Sequence, residues 1–147
     1  MVTLAPKRYE HPWRPPAGIP PQLILESSEE APAAARAYAR EFVEYALDDP
    51  DPEHLYDVAL VVSELVTNSV RYGTGPRDSM LVVLEADDAR TRIEVHDTVR
   101  RRPQIKPENT DSRRGRGLHI VGTLATWGTE TRPGGQGKYV WAEVPGR

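Results

Sequence analysis

The chain contains no cysteine, so disulfides, thiolate metal sites and cysteine nucleophiles are all excluded. Its four histidines, His11, His54, His96 and His119, show no short metal-ligand spacing. No apolar run approaches the length of a membrane span. The N-terminus is broken by prolines and charges and lacks the apolar core of a signal peptide, which sets the expectation of a cytoplasmic protein with no membrane partner. No G-x-S-x-G occurs, so a serine-hydrolase elbow is absent. The glycine-rich segment Pro133 to Lys138 is not a Walker A loop, because Tyr139 stands where Ser or Thr is required. Nor is Gly115-Arg116-Gly117 a dinucleotide fingerprint, since Ile120 holds the third glycine position.

One local excess stands out against a net charge of −3. Between Thr98 and Arg116 lie seven basic residues and only two acidic ones, Glu108 and Asp111. Such a segment either meets phosphate or is merely solvated. It has no interleaved aromatics on which bases could stack and no DNA-binding motif, so direct nucleic-acid binding is not expected.

A length of 147 residues suits one domain with a single core. Residues 1 to 21 hold six of the fourteen prolines and read as an extended, poorly ordered tail. Residues 22 to 147 form the folded unit. Periodicity predicts a strand over Gln22–Glu26, helices over Ser28–Leu47 and Glu53–Tyr72, and strands over Met80–Ala86 and Thr91–Asp97. The segment DDPDP, Asp48 to Pro52, ends the first helix and caps the second. An aperiodic basic segment, Thr98 to Arg114, leads into a helix over Gly115–Thr126. Two strands, Gly128–Arg132 and Lys138–Val144, close the chain. This order predicts an α/β sandwich: a mixed sheet with helices packed on one face.

The second helix carries the chemistry. Its apolar stripe runs through Leu55, Val58, Val62, Leu65, Val66 and Ser69. Glu64, Asn68 and Arg71 project in one sector away from it, and Gly73 with the turn-forming residues after it closes the helix. A carboxylate, a neutral oxygen ligand and a guanidinium together suit a metal-bound polyphosphate beside a general base. Ile93, Val95 and Asp97 share one face of their strand, so Asp97 sits where an apolar residue would continue the row. A carboxylate there can accept a hydrogen bond from an exocyclic amine. Gly115 and Gly117 at a helix start offer close backbone approach and unpaired N–H groups, which suit phosphate.

In order along the chain, SELVTNSVRYG, EVHDTVRRRP and RRGRGLHIVGTLATWG resemble the N, G1 and G2 boxes of the GHKL (Bergerat-fold) ATPase family, and GKYVWAEVP resembles its closing strand. The resemblance covers about residues 25 to 144. It is nearest to the small single-domain serine-kinase anti-sigma factors, histidine kinase-like ATP-binding regulators. It implies ATP and Mg²⁺ as cofactors, with Asn68 as the metal ligand and Glu64 as the catalytic general base. It implies a phosphate contact from Arg71, packing of Tyr72 against the nucleoside, and an adenine-amine bond to Asp97. Arg114, Gly115, Arg116, Gly117 and Leu118 would close over the triphosphate with the basic segment as a lid. The implied function is a serine/threonine-protein kinase that binds a sigma factor and phosphorylates an anti-anti-sigma (STAS) protein, with a homodimer among the assemblies the resemblance allows. Two positions depart from the family pattern, Val99 after the G1 aspartate and Tyr139 in the closing strand. Both imply larger side chains beside the base and favour an alternative: a non-catalytic Bergerat-fold module that sequesters a partner. No phosphoacceptor-histidine hairpin precedes the domain, so a complete sensor histidine kinase is not expected.

Overall fold

A computed structural model describes residues 21–75, 78–97, 112–135 and 137–146, with the backbone alone for 112–116 and 135. The predicted tail up to Pro20 and the basic segment up to Asp111 lie outside these residues. Five strands and three helices follow in the order β1 (Gln22–Glu26), α1 (Ala31–Ala46), α2 (Pro52–Asn68), β2 (Ser79–Ala86), β3 (Arg90–Asp97), α3 (Ser112–Leu124), β4 (Thr126–Thr131) and β5 (Lys138–Pro145). Local chemistry accounts for the junctions. The Asp51 carboxylate accepts from the Glu53 N–H at 2.8 Å and Pro52 begins α2, as an N-cap followed by proline should. Asp87 Oδ1 accepts from the N–H groups of Ala89 (2.8 Å) and Arg90 (2.9 Å), which turns β2 into β3.

The sheet has the strand order β1-β2-β3-β5-β4. The α/β sandwich is as expected, but the sheet is antiparallel throughout rather than mixed. The crossover through α3 does leave β3 and β4 parallel. β5 then folds back between them, so no parallel pair is hydrogen-bonded.

The core lies between the helices and one sheet face. Met80, Val82, Leu84 and Ala86 of β2, Ile93 and Val95 of β3, and Ala142 and Val144 of β5 meet Ala35, Phe42 and Val43 of α1 and Val58, Val62, Leu65 and Val66 of α2. This alternation in the strands and 3–4 spacing in the helices is the usual consequence of burying one face of each. Polar bonds fix the layers. Arg36 of α1 donates to Ser63 Oγ of α2 at 2.8 Å. His54, 2% exposed at the start of α2, reaches the Pro145 carbonyl through Nδ1 (3.0 Å) and Thr91 Oγ1 through Nε2 (2.8 Å). Since a carbonyl only accepts, the bonded tautomer carries its proton on Nδ1, and Nε2 accepts from the threonine hydroxyl. Helix α2, which carries the candidate chemistry, is thereby pinned to the ends of β3 and β5.

Candidate functional site

Helix α2 passes from α to a π turn at Ser69–Gly73, closed by the Thr74 N–H bonding to Ser69 O at 2.8 Å. Single π turns cluster at functional sites because they re-aim side chains without ending the helix. The Thr74 hydroxyl lies 2.8 Å from Ser69 O and 2.6 Å from Ser27 Oγ. Having one proton, it donates to the carbonyl and accepts from the serine. The turn is thus held to the segment after β1.

This turn corrects one expectation. Glu64 and Asn68 remain one α-helical turn apart and half-buried, but Arg71 lies on the π turn and is exposed. The wider i→i+5 spacing displaces it from the place an uninterrupted α-helix would give it. Tyr72 is half-buried on the same turn.

Two close approaches define the site. At the first, a Cβ built on Gly117 of α3 would stand 2.7 Å from Glu64 Oε2. With a side chain at 117 the Glu64 carboxylate, the end of a flexible side chain, would have to move from this position. The side chains of Glu64 and Asn68 form no hydrogen bond or ion pair with other described residues, and Glu64 Oε2 is the atom that lies against Gly117. At the second, a Cβ on Gly73 would stand 2.9 Å from Asp97 Oδ2 and 3.6 Å from Ser69 Oγ. Asp97 ends β3 at 2% exposure, paired in register with Met80 and Lys138. Ser69 Oγ is buried with no hydrogen-bond partner among the described residues. The corner formed by Gly73, Ser69 and Asp97 therefore contains a buried polar pair beside a missing side chain, which suits a polar planar ligand edge.

Helix α3 begins at Ser112, not at Gly115. Gly117 falls in its second turn, beyond the N–H groups that a helix start leaves unpaired. Its contribution is therefore space for Glu64 rather than free donors. Neither the arginines nor a single glycine halts a helix, so the glycines did not mark its start. Leu118 is half-buried beside Gly117, and of Arg114, Gly115 and Arg116 only the backbone is among what the structure describes.

Tyr139 is also corrected. It pairs with His96, whereas Asp97 pairs with Lys138, so Tyr139 points to the opposite face of the sheet. There its ring stacks on His96 with centroids 4.5 Å apart. It does not line the corner at Asp97. Val99 lies outside the described residues. Sequence reasoning passed over Ser69, which it placed on the apolar face, and Gly73, which it took only as a helix end. No local signal marks either, because their roles arise from the turn that brings them to β3.

A model of the histidine kinase-like ATPase domain matches residues 25–143. The chain belongs to that family. No match is found among curated proteins. The five-stranded antiparallel sheet and the three helices among the described residues are consistent with the fold of that family. Among the described residues no helix is long and apolar enough to cross a membrane.

The fit of Mg²⁺ rests on the donors. No group of three acidic or histidine side chains that could hold a metal occurs among the described residues. Asn68 supplies one uncommitted amide oxygen beside the Glu64 carboxylate. This is a poor cage but a fitting anchor for an ion that keeps waters and takes phosphate oxygens as its remaining ligands.

Proposed function

We propose that this domain is an ATP-dependent protein serine/threonine kinase that acts as an anti-sigma factor, binding a sigma factor and phosphorylating an anti-anti-sigma antagonist of the STAS class. The observation that carries this proposal is the placement of Glu64. Its carboxylate has no partner among the described residues and lies at the α2–α3 junction in the space that the absent side chain of Gly117 leaves. It also lies one turn from Asn68. Asn68 would hold Mg²⁺, which supplies charge neutralisation to the phosphates. Asp97 and Ser69 would receive the base at the Gly73 corner. Glu64 would take the proton from an acceptor hydroxyl as that oxygen bonds to the γ-phosphorus and the bond to ADP breaks. The acceptor would be a Ser or Thr hydroxyl of the antagonist protein.

The alternative, a non-catalytic binding module, drew on Val99 and Tyr139. With Tyr139 on the far face of the sheet, the enlarged side chain does not crowd the corner at Asp97, and one of those two supports is gone.

The test is radiolabelled ATP with a cognate antagonist protein, run beside a sigma-factor pull-down. Glu64→Gln should retain most nucleotide affinity and lose about 10²- to 10⁴-fold in transfer, the range attributed to a positioned base. If wild-type protein binds ATP and its partner yet labels it no faster than Glu64→Gln, the kinase role is wrong and a nucleotide-gated binder replaces it.

A further inference from the structure

The π turn at the end of α2 has a lock, and one residue supplies it. Ser69 O accepts from the Thr74 N–H at 2.8 Å and from the Thr74 hydroxyl at 2.8 Å. A carbonyl oxygen has two lone pairs, so Thr74 occupies both. The α-helical partner of Ser69 O would be the Gly73 N–H, four residues on, and no lone pair is left for it. An i→i+5 bond also closes ordinary helix ends, where the residue before the donor is left-handed and usually glycine. Gly73 is not such a cap, because Gly134 and Gly137 are the only described glycines with positive φ. The turn is instead wider by one residue, a geometry that occurs mostly as single turns at functional sites.

The lock is anchored from outside the helix. Thr74 leaves the turn in an extended conformation, with φ −133° and ψ 150°. Its hydroxyl oxygen accepts from Ser27 Oγ, 2.6 Å away, which leaves its own proton for Ser69 O. Ser27 is buried and also donates its N–H to Asp78 O at 2.7 Å, while Asp78 Oδ2 accepts from the Gly75 N–H at 2.6 Å. The residue after β1 and the residue before β2 thus grip the exit of the turn.

The register decides what stands at the corner beside Asp97. With the extra residue in the turn, Gly73 faces Asp97, and even a Cβ there would come within 2.9 Å of Oδ2. An α-helical closure holds one residue fewer, so Tyr72 would come to the position of Gly73. A tyrosine ring would then fill the space beside Ser69 and Asp97. Glu64 and Asn68 precede the turn and keep their places in either register. We infer, resting on the nucleotide-binding reading of this corner, that Thr74 is a positioning residue for the base. Its hydroxyl holds the end of α2 in the π register and so keeps the corner open, without touching the nucleotide.

Scalar coupling across the hydrogen bond, between an amide nitrogen and the Ser69 carbonyl carbon, reads the register directly in the full chain labelled with ¹⁵N and ¹³C. In wild type the coupling should belong to Thr74. In Thr74→Val it should pass to the Gly73 amide, and saturating Mg·ATP should return it to position 74. Mg·ATP affinity by calorimetry should fall about 2- to 12-fold in that variant, the shift that one ordinary hydrogen bond sets. Thr74→Ser keeps the hydroxyl and should restore both coupling and affinity. Thr91→Val loses a buried hydroxyl elsewhere and should alter neither. Equal changes in Thr91→Val would reduce Thr74 to a structural role and overturn the proposal. A coupling that stays at position 74 in Thr74→Val overturns the lock, and one that moves with no change in affinity overturns its link to the base. Wild-type protein that binds no Mg·ATP would overturn the nucleotide reading instead, and the coupling would still decide whether Thr74 sets the register.

Discussion

Replacing Gly117 with alanine separates the site from the scaffold. The new Cβ would stand 2.7 Å from Glu64 Oε2, about 0.7 Å short of the 3.4 Å at which ordinary contact begins. The obstructing atom is the end of a flexible side chain, so the helix stays and the carboxylate moves. Displacements near 1 Å at a reacting group cost about 10²-fold, so turnover should fall roughly ten- to a hundredfold. Stability should move the other way, because Gly→Ala inside a helix gains about 0.5–1 kcal/mol. Gly122→Ala is the matched control. It lies on the same helix, and its Cβ would meet Trp127 Nε1 at an ordinary 3.6 Å. Both variants should melt at or above the wild-type temperature, and only Gly117→Ala should lose single-turnover transfer from radiolabelled ATP. Wild-type turnover in a folded Gly117→Ala would refute the placement of Glu64 as the base. Equal losses in both variants would show that the helix, not the carboxylate, matters.

Asn68→Ala should weaken ATP affinity by calorimetry when Mg²⁺ is present and change it little in EDTA, since only the metal-dependent component passes through the amide. Gly73→Ala should weaken ATP binding by crowding Asp97 Oδ2 at 2.9 Å, and Asp97→Asn should erode discrimination between ATP and GTP because an amide no longer presents two acceptors; equal preference in wild type would remove Asp97 from base reading. Thr91→Val leaves buried His54 Nε2 without its donor and should cost about 1–3 kcal/mol in urea unfolding, with ATP affinity unchanged. Glu94 titrates below its ordinary range because of its hydrogen bond to His96 and, after the opposing effect of burial, its bond and attraction to Arg92. Its stabilising contribution is complete above the ordinary carboxylate pKa and is lost as pH falls through the lowered folded value. Glu94→Gln should therefore flatten the acid limb of the stability profile below about pH 4.5, and an unchanged limb would show that the carboxylate is not engaged.

The elements were legible where period and punctuation agree. Residues 91–97 announce a strand by alternation and residues 22–26 and 80–86 by short apolar runs, and Asp51-Pro52 announces the start of α2. Strand direction was not legible. Alternation says which residues share a face but nothing about which strand lies alongside, and the mixed sheet was inferred from the order of the elements alone. The return of β5 between β3 and β4 is a tertiary event. The face of Tyr139 was obscured for a related reason. β5 is apolar on both sides, with Val140, Ala142 and Val144 inward and Tyr139 and Trp141 outward, so its own pattern gives no inside or outside.

At the site, Asp97 was readable because it interrupts an apolar row, and Glu64 and Asn68 because they share one polar sector at helical spacing. What was not readable is the role of absence. Gly73 and Gly117 act through the Cβ they lack, one against Asp97 and one against Glu64, and a glycine in sequence reads first as a turn or a helix end. The π turn adds a second reason. An extra residue in the helix rotates everything after Asn68, so Arg71 leaves the sector that α-helical arithmetic assigns it, and Ser69, counted as core, is brought beside Gly73 and Asp97. The residues of ordinary geometry could be placed from spacing alone. Those that shape the corner for a base depend on a local departure from that geometry.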